Sequence, residues 1–271
     1  MFTVIVTLTV AVVLTLAAVA IARVLTRVFQ KAEHRADQAE SRADRAERAK
    51  DAAGRAIVES HVLKGFAYGA DVAQGKLTVE NLDGDCMIRR SLVGVRANDG
   101  FTVANMSGIV GTSGEVTLSP RLLNMAGLPK DRVSFKSLVK GRAGQFEFSF
   151  APPLKSDDPP FEYTVEVSFE RGTLMTRAAI EQQYKDDAFR EEYYGIRVDI
   201  PVAALELEVV FPPGFQPRVG GTALYGDTEI VADAEGARVA KAVQQTSAGA
   251  KVRLEQPLLS YVYAIHWMPP Q

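Results

Sequence analysis

The sequence predicts a mainly β protein in which an N-terminal transmembrane helix continues into a helical stalk or weak coiled coil. Three observations carry this prediction: an uncharged apolar stretch, a charged helix-forming stretch without proline after it, and repeated two-residue alternation of apolar and polar side chains further on. An antiparallel β-sandwich-like domain of one or two lobes, with one short helix, is therefore expected. The predicted boundaries are 1–28 for the transmembrane helix, 29–64 for the stalk and 65–271 for the β-rich domain.

The membrane span is predicted from residues 2–22, which contain no ionisable side chain. At about 1.5 Å per residue, a helix of this length crosses the roughly 30 Å hydrocarbon layer of a bilayer. A cleaved secretory signal is the alternative, but it needs a basic region before the apolar stretch, and only the terminal amine precedes Phe2. The sequence therefore favours a retained, single-pass span.

The orientation of the span follows from the basic residues that come directly after it, Arg23, Arg27, Lys31 and Arg35, which only Glu33 opposes. An excess of Lys and Arg marks the cytoplasmic side of a membrane. The usage of Ala, Arg and Val is typical of bacteria. We therefore expect a bacterial inner (cell) membrane protein whose C-terminal domain is cytoplasmic.

The stalk has small apolar residues at heptad spacing, with Lys50 at the remaining seam position: Ala36, Ala39, Ala43, Ala46, Ala53 and Ile57. Each buried CH₂ contributes only about 0.8 kcal/mol, so an alanine seam stabilises a helix pair weakly. Two interpretations stay open: a weak homo-oligomer through the stalk, and a single solvated helix supported by ion pairs four residues apart.

The β-rich domain is predicted from alternation, which is clearest in "FEYTVEVSFE" at 161–170. "QFEFSF" and "LELEVVF" repeat the pattern, and "LLSYVYAIHW" is apolar on both faces, as a central strand would be. An Asp83-Gly84 turn would place Val79 opposite Ile88 in a hairpin. We expect about ten to twelve strands, from the spacing of such runs and turns.

One helix is expected to interrupt the strands, with Thr176 as its N-cap and Gly195 just after its end. Its apolar positions would be Ile180, Tyr184 and Ala188. The segment 151–160 contains four prolines and is either a long loop or a seam between two lobes.

Composition argues against several classes of function. Residues 61–271 hold 22 Lys and Arg against 26 Asp and Glu, which is unfavourable for nonspecific binding of nucleic acid. Cys86 is the only cysteine, so neither an intrachain disulfide nor a thiolate metal cluster is available. The three histidines are far apart in sequence, and His266 is expected to have a hydrogen-bonded structural role. No catalytic residue, cofactor or metal site is predicted.

Glutamates provide the one candidate for catalysis. Glu162, Glu166 and Glu170 share one strand face, and Glu206 lies near Glu208 on another. Residues two apart on a strand are roughly 7 Å apart, a separation that paired acid–base catalysis also uses. A solvated sheet face explains the pattern more simply, so a membrane-bound hydrolase is the weaker alternative.

Recognition of a partner is the favoured class of function. The candidate partner surface comprises Phe215 in the loop "FPPGFQP" and three tyrosines near the predicted helix, Tyr184, Tyr193 and Tyr194. We expect a membrane-anchored, non-catalytic interaction or scaffold protein. The alternative is a membrane-tethered sensor or effector in bacterial signalling or defence, which would bind a small molecule such as a nucleotide between β lobes.

Overall fold

A computed structural model describes residues 65–110, 115–140, 143–184, 191–225, 229–230 and 234–270. The predicted transmembrane helix and stalk, with their basic residues and alanine seam, lie outside these ranges. Among the described residues, no helix combines the length and the apolar character that crossing a membrane requires. The described chain is mainly β, with antiparallel sheets, as the sequence predicts.

The described ranges contain 14 strands and two short α-helices. The strands are β1 (Tyr68–Val79), β2 (Cys86–Ala97), β3 (Phe101–Val110), β4 (Glu115–Ala126), β5 (Val133–Lys140), β6 (Ala143–Leu154), β7 (Phe161–Glu170), β8 (Glu192–Arg197), β9 (Val202–Val210), β10 (Arg218–Tyr225), β11 (Glu229–Ile230), β12 (Gln244–Thr246), β13 (Gly249–Glu255) and β14 (Tyr261–Met268). The helices are α1 (Arg177–Gln183) and α2 (Ala234–Ala242), and a 3₁₀ turn spans Lys130–Arg132.

The strands form three sheets. The large sheet has seven strands in the order β12-β13-β9-β1-β2-β7-β4, the second has four in the order β11-β10-β14-β8, and the third has three in the order β3-β6-β5. Strands β1 and β9 pair in parallel, and the other described pairs are antiparallel. Strand β14 lies between β10 and β8, so "YVYAIHW" is the central strand that its two apolar faces predict.

One face of the large sheet is buried under both smaller sheets. Phe148 of β6 packs against Tyr163 of β7 with ring centroids 4.4 Å apart and the rings tilted by 44°, which joins the three-stranded sheet to the large one. On β7, the five alternating residues that start at Phe161 and end at Phe169 are all at most 3% exposed. The apolar stripe of "FEYTVEVSFE" therefore lies in the core, as predicted.

The hairpin between β1 and β2 has a different register from the predicted one. Leu77, not Val79, is the residue opposite Ile88. The loop between the end of β1 at Val79 and the start of β2 at Cys86 is longer than a two-residue turn. Within this loop, the side chain of Asn81 accepts hydrogen bonds from the backbone N–H groups of Asp83 and Asp85, both at 3.1 Å. The difference is an even number of residues, so each side chain keeps its predicted face.

The predicted helix is much shorter than expected, and a second one was not predicted. Thr176 is the N-cap of α1, since its side chain accepts from the backbone N–H of Ala179 at 3.3 Å. Gly195 does not follow a helix end, because it lies within β8, whose residues alternate between buried and exposed positions. Helix α2 corrects the expectation of one short helix. Ala188 lies outside the described residues.

The proline-rich segment 151–160 begins at the end of β6 and leads directly into β7. Phe150 and Phe161 lie on either side of this segment, and the centroids of their rings are 5.6 Å apart. Both belong to one cluster of buried apolar residues that draws on all three sheets.

Candidate binding face of the large sheet

The large sheet turns its other face away from the core, and this face is polar. Two rows of side chains cross it from strand to strand, as the pairing register defines them. The central row consists of Gln244, Lys251, Glu208, Lys76, Arg89, Glu166 and Arg121. The second row consists of Arg253, Glu206, Gln74, Ser91, Thr164 and Asn124. We call the two rows together the polar face.

A groove of about 610 Å³ runs over five strands of the polar face, β12, β13, β9, β1 and β2, and reaches Thr164 on β7. Its charged lining consists of four cations and two carboxylates: Lys76, Arg89, Lys251, Arg253, Glu206 and Glu208. The groove is therefore locally positive in a domain whose overall composition is mildly acidic.

Ion pairs and hydrogen bonds link neighbouring strands across the groove. Lys76 Nζ lies 2.7 Å from Glu208 Oε2, and the amide of Gln74 donates to Glu206 at 2.8 Å. Arg253 contacts Glu206 as well, and its Nε donates to Glu255 at 2.9 Å. The lining side chains are thus held by neighbours before any partner binds, which reduces the entropy lost on binding.

Glu166 is the most buried charged group of the polar face, with a side chain only 1% exposed. Its carboxylate accepts from Arg89 Nε at 2.6 Å and from Arg121 Nε at 2.8 Å. The two guanidinium groups come from the strands on either side of β7 and cover the carboxylate, while they themselves stay 45% and 57% exposed.

The environment of Glu166 keeps it ionised. Burial raises the pKa of this carboxyl, but the hydrogen bonds and charges of Arg89 and Arg121 lower it by more, so the pKa lies below its ordinary value. An ionised carboxylate only accepts hydrogen bonds. Glu166 therefore cannot supply a proton as a general acid at neutral pH.

Lys76 and Arg89 lie directly opposite each other on β1 and β2. Like charges at paired positions repel, and here each cation is also held on its far side by a glutamate, Glu208 and Glu166 respectively. An anionic group placed between the two cations would relieve this repulsion. The centre of the groove is consequently suited to a carboxylate or another anion.

The glutamates of the two predicted clusters lie on strands that are distant from each other in the sheet. Glu166 on β7 and Glu206 on β9 are three strand spacings apart, or roughly 14 Å, beyond the range of paired carboxylates in glycoside hydrolysis. Glu206 forms an ion pair with Arg253, and Glu208 forms one with Lys76. The expectation that the Glu162–Glu170 face is fully solvated is wrong at Glu166, because the long arginine side chains shield it.

The residues of the predicted partner surface lie elsewhere and are not all accessible. Phe215 is buried against Phe211, with ring centroids 5.3 Å apart, and Tyr194 is buried in β8. Tyr193, on the same strand, is 38% exposed. Tyr184 follows α1 and donates to Glu192 at 3.2 Å. The exposure assumed for Phe215 and Tyr194 was therefore wrong, since their side chains complete the core.

The remaining candidates from the sequence have structural surroundings. His266 contacts the carboxylate of Glu191, which also accepts from Arg218 at 2.6 Å. Cys86 is 1% exposed, and burial raises the pKa of its thiol to about 12. Within the described ranges, no three His, Cys, Asp or Glu side chains are grouped in a way that could hold a metal ion.

Sequence reasoning did not find Lys76, Arg89 and Arg121 as functional residues. The signal was present as polar positions in alternating strands, because each of the three occupies the solvent side of its strand. Strand order decides which of these positions become neighbours, and periodicity carries no information about strand order.

Comparison with known proteins gives little guidance. No protein-family model and no curated protein matches the chain. Among solved structures, it resembles a putative protease from Parabacteroides distasonis, with 9% identity, a TM-score of 0.41 and coverage of 75% of this chain and 41% of the other. An M1 zinc metallopeptidase from Deinococcus radiodurans, bound to a Tyr-Ser-Ala substrate, has 10% identity, a TM-score of 0.36 and coverage of 74% and 42%.

Yeast LTA4 hydrolase in complex with bestatin has 9% identity, a TM-score of 0.31 and coverage of 74% of this chain and 28% of the other. The chain thus spans less than half the length of each of these three proteins. At such TM-scores the likeness supports no inference about activity.

Proposed function

We propose that this chain is a membrane-anchored, non-catalytic interaction protein that binds an acidic segment of a partner protein in the groove of the polar face. The observation that carries the proposal is the excess of four cations over two carboxylates in the lining of the groove. Its anchor would be the uncharged stretch at residues 2–22, which would concentrate the domain at the cytoplasmic side of the membrane.

The charges of the groove favour recognition over catalysis. Glu166 is held ionised by two arginines, and Glu206 and Glu208 are each engaged by a cation. General acid–base work needs a group whose pKa lies near the working pH and a second group within reach. Paired, ionised side chains serve instead to orient a charged partner and to speed its association.

The expected partner segment is acidic and extended. The groove crosses several strands, so it fits a chain that lies across the sheet and places carboxylates over Lys76, Arg89 and Lys251. Lys76 and Lys251 are the two lysines of this lining, and both reach solvent. Because such contacts lie at an accessible surface, binding should weaken as salt is raised.

The test uses the purified full chain and a fluorescent poly-glutamate peptide, with binding measured by anisotropy. We expect the acidic peptide to bind and a poly-lysine peptide of the same length not to bind. The double variant Lys76→Gln/Lys251→Gln should weaken binding about fivefold, since each exposed ionic contact contributes about 0.2–1 kcal/mol.

The matched control is Lys136→Gln/Lys241→Gln, which removes two exposed lysines from β5 and α2, outside the groove. This control should bind the peptide like the unmodified chain. Equal loss in both double variants would mean that exposed lysines outside the groove attract the peptide as strongly as those inside it, and the assignment to the groove would then be abandoned.

A further inference from the structure

A separate cavity of about 110 Å³ lies beside the core face of the large sheet, next to the segment that runs from β8 into β9. Its volume is several times the roughly 10–15 Å³ that a single water molecule needs. Tyr163 and Arg90 of the large sheet line it, together with the apolar side chains of Leu92, Ile196 and Val198. These three apolar residues are buried, so they provide walls and not a surface patch.

Tyr163, which lines this cavity, has an unused hydrogen-bond donor. The residue is 1% exposed, and its phenolic oxygen has no hydrogen-bond partner among the described residues. Burial raises the pKa of this phenol, with a smaller contribution from Tyr68, so the O–H group remains protonated at neutral pH. A buried hydroxyl without a partner is costly, which favours a bound molecule that accepts from it.

The other polar lining residues define the charge of that molecule. Arg90 brings a guanidinium group from β2, and one of its N–H groups donates to the carbonyl oxygen of Gly195 at 3.0 Å. At the exposed side of the cavity, Arg197 Nε lies 2.8 Å from Asp199 Oδ1, so this carboxylate is paired with a cation. The interior therefore offers a donor and a positive charge beside apolar walls.

We propose that this cavity binds a short-chain aliphatic carboxylate, whose carboxylate group accepts from the Tyr163 hydroxyl beside Arg90 while its alkyl chain contacts Leu92, Ile196 and Val198. The apolar walls distinguish this ligand from inorganic anions, which gain nothing from alkyl contacts. The side chains named for this site differ from the charged side chains that line the groove of the polar face, although Gln74 and Ser91 border both the cavity and the groove.

The probe is butyrate, added to the purified full chain while thermal unfolding is followed by tryptophan fluorescence. Butyrate should raise the unfolding temperature in a saturable manner. Butanol has the same alkyl chain without the charge, and inorganic phosphate has charge without the chain, so neither should match it. An equal response to butanol, or to phosphate, would overturn the assignment of a carboxylate ligand.

The decisive variant is Tyr163→Phe, which removes only the hydroxyl. It should weaken butyrate binding about tenfold, as expected for the loss of one hydrogen bond to a charged group. The unliganded variant should be at least as stable as the unmodified chain, because the buried hydroxyl without a partner is gone. This second readout separates a lost ligand contact from a misfolded protein.

Tyr225→Phe is the matched control, because Tyr225 is 53% exposed and does not line the cavity. It should respond to butyrate like the unmodified chain. Failure of butyrate to stabilise the unmodified chain at millimolar concentration, or an unchanged response in Tyr163→Phe, would overturn the proposal. Neither result would affect the peptide-binding test, which uses other residues and another probe.

Discussion

Glu166 is the residue whose environment differs most from the sequence-based expectation. Alternation on β7 correctly assigns it to the face opposite the core, yet its side chain is almost completely covered. The cover comes from Arg89 and Arg121, which neighbouring strands place on both sides of it. The face of a residue can thus be predicted from its own strand, whereas its burial depends on side chains from strands that are distant in sequence.

The variant Glu166→Gln should lower the free energy of unfolding by about 1–2 kcal/mol. Removing one partner of a fully buried ion pair costs about 3–5 kcal/mol, but the two arginines are half exposed, so water compensates for part of the loss. Urea denaturation of the full chain, followed by the fluorescence of Trp267, measures the change. Trp267 is the only tryptophan and is fully buried.

Glu162→Gln is the control for this variant. Glu162 lies on the same strand and face, and its described contact is a hydrogen bond from Asn124 at 3.2 Å. Its change should stay within about 0.5 kcal/mol, the usual range for surface substitutions. Equal losses in both variants would contradict a special role for the covered carboxylate.

The stabilisation by Glu166 should also depend on pH. The pKa of this group is lower in the folded chain than in the unfolded chain, so its contribution is complete above the unfolded value and is lost as the pH falls through the folded value. The difference in unfolding free energy between the unmodified chain and Glu166→Gln should be constant from pH 6 to 8. It should shrink below about pH 4.3. A difference that grows on acidification would contradict the assignment.

Strands β1 and β8 show how two elements fit against each other. Gly75 of β1 lies on the core face, and a Cβ atom there would lie 2.5 Å from Ile196 Cδ1 and 2.6 Å from the Tyr194 hydroxyl oxygen. The four-stranded sheet can therefore approach the large sheet only because residue 75 has no side chain. Alternation predicts one apolar face on β1 and one on β8, but it does not predict that these two faces pack against each other.

Gly75→Ala should destabilise the protein by about 1–3 kcal/mol, the usual cost of overpacking a core. The substitution Ile196→Val removes the atom nearest to the new methyl group. The double variant Gly75→Ala/Ile196→Val should therefore be less destabilised than the sum of the two single variants, by at least about 0.5 kcal/mol. Chemical denaturation of all four proteins completes the cycle, and strict additivity would show that the two strands do not meet at this position.

Some ends of helices and strands could be predicted from the sequence, and others could not. Strand β7 matches the alternating run at both of its ends, and the N-cap of α1 could be read from Thr176. The end of that helix was misplaced because tyrosines followed by Gly195 also fit a helix terminus. In the structure, pairing of β8 with β14 makes these residues a strand. Tertiary pairing here prevails over local preference.

In the part of the chain that the structure describes, one shared core joins the three sheets. Buried residues from all three sheets belong to one cluster, which includes Phe148, Tyr163 and Trp267. The mainly β, antiparallel class was predictable because apolar alternation requires a common interior. The division into three sheets was not, since it depends on pairings such as the parallel one between β1 and β9.

A shared core should make the described domain unfold as one unit. We expect native-state hydrogen exchange, measured by mass spectrometry at increasing urea concentration, to converge on one opening free energy for peptides from β7 and β14. These strands belong to different sheets. Two distinct limiting free energies would mean that the four-stranded sheet opens independently.

Cys86 has a practical consequence for experiments on this molecule. Its side chain carries the only thiol of the chain, and this thiol is buried and remains protonated at neutral pH. Maleimide reagents attack accessible thiolates, so the unmodified chain should behave as a cysteine-free background. A cysteine introduced at an exposed site can therefore carry a spectroscopic label without prior removal of the native one.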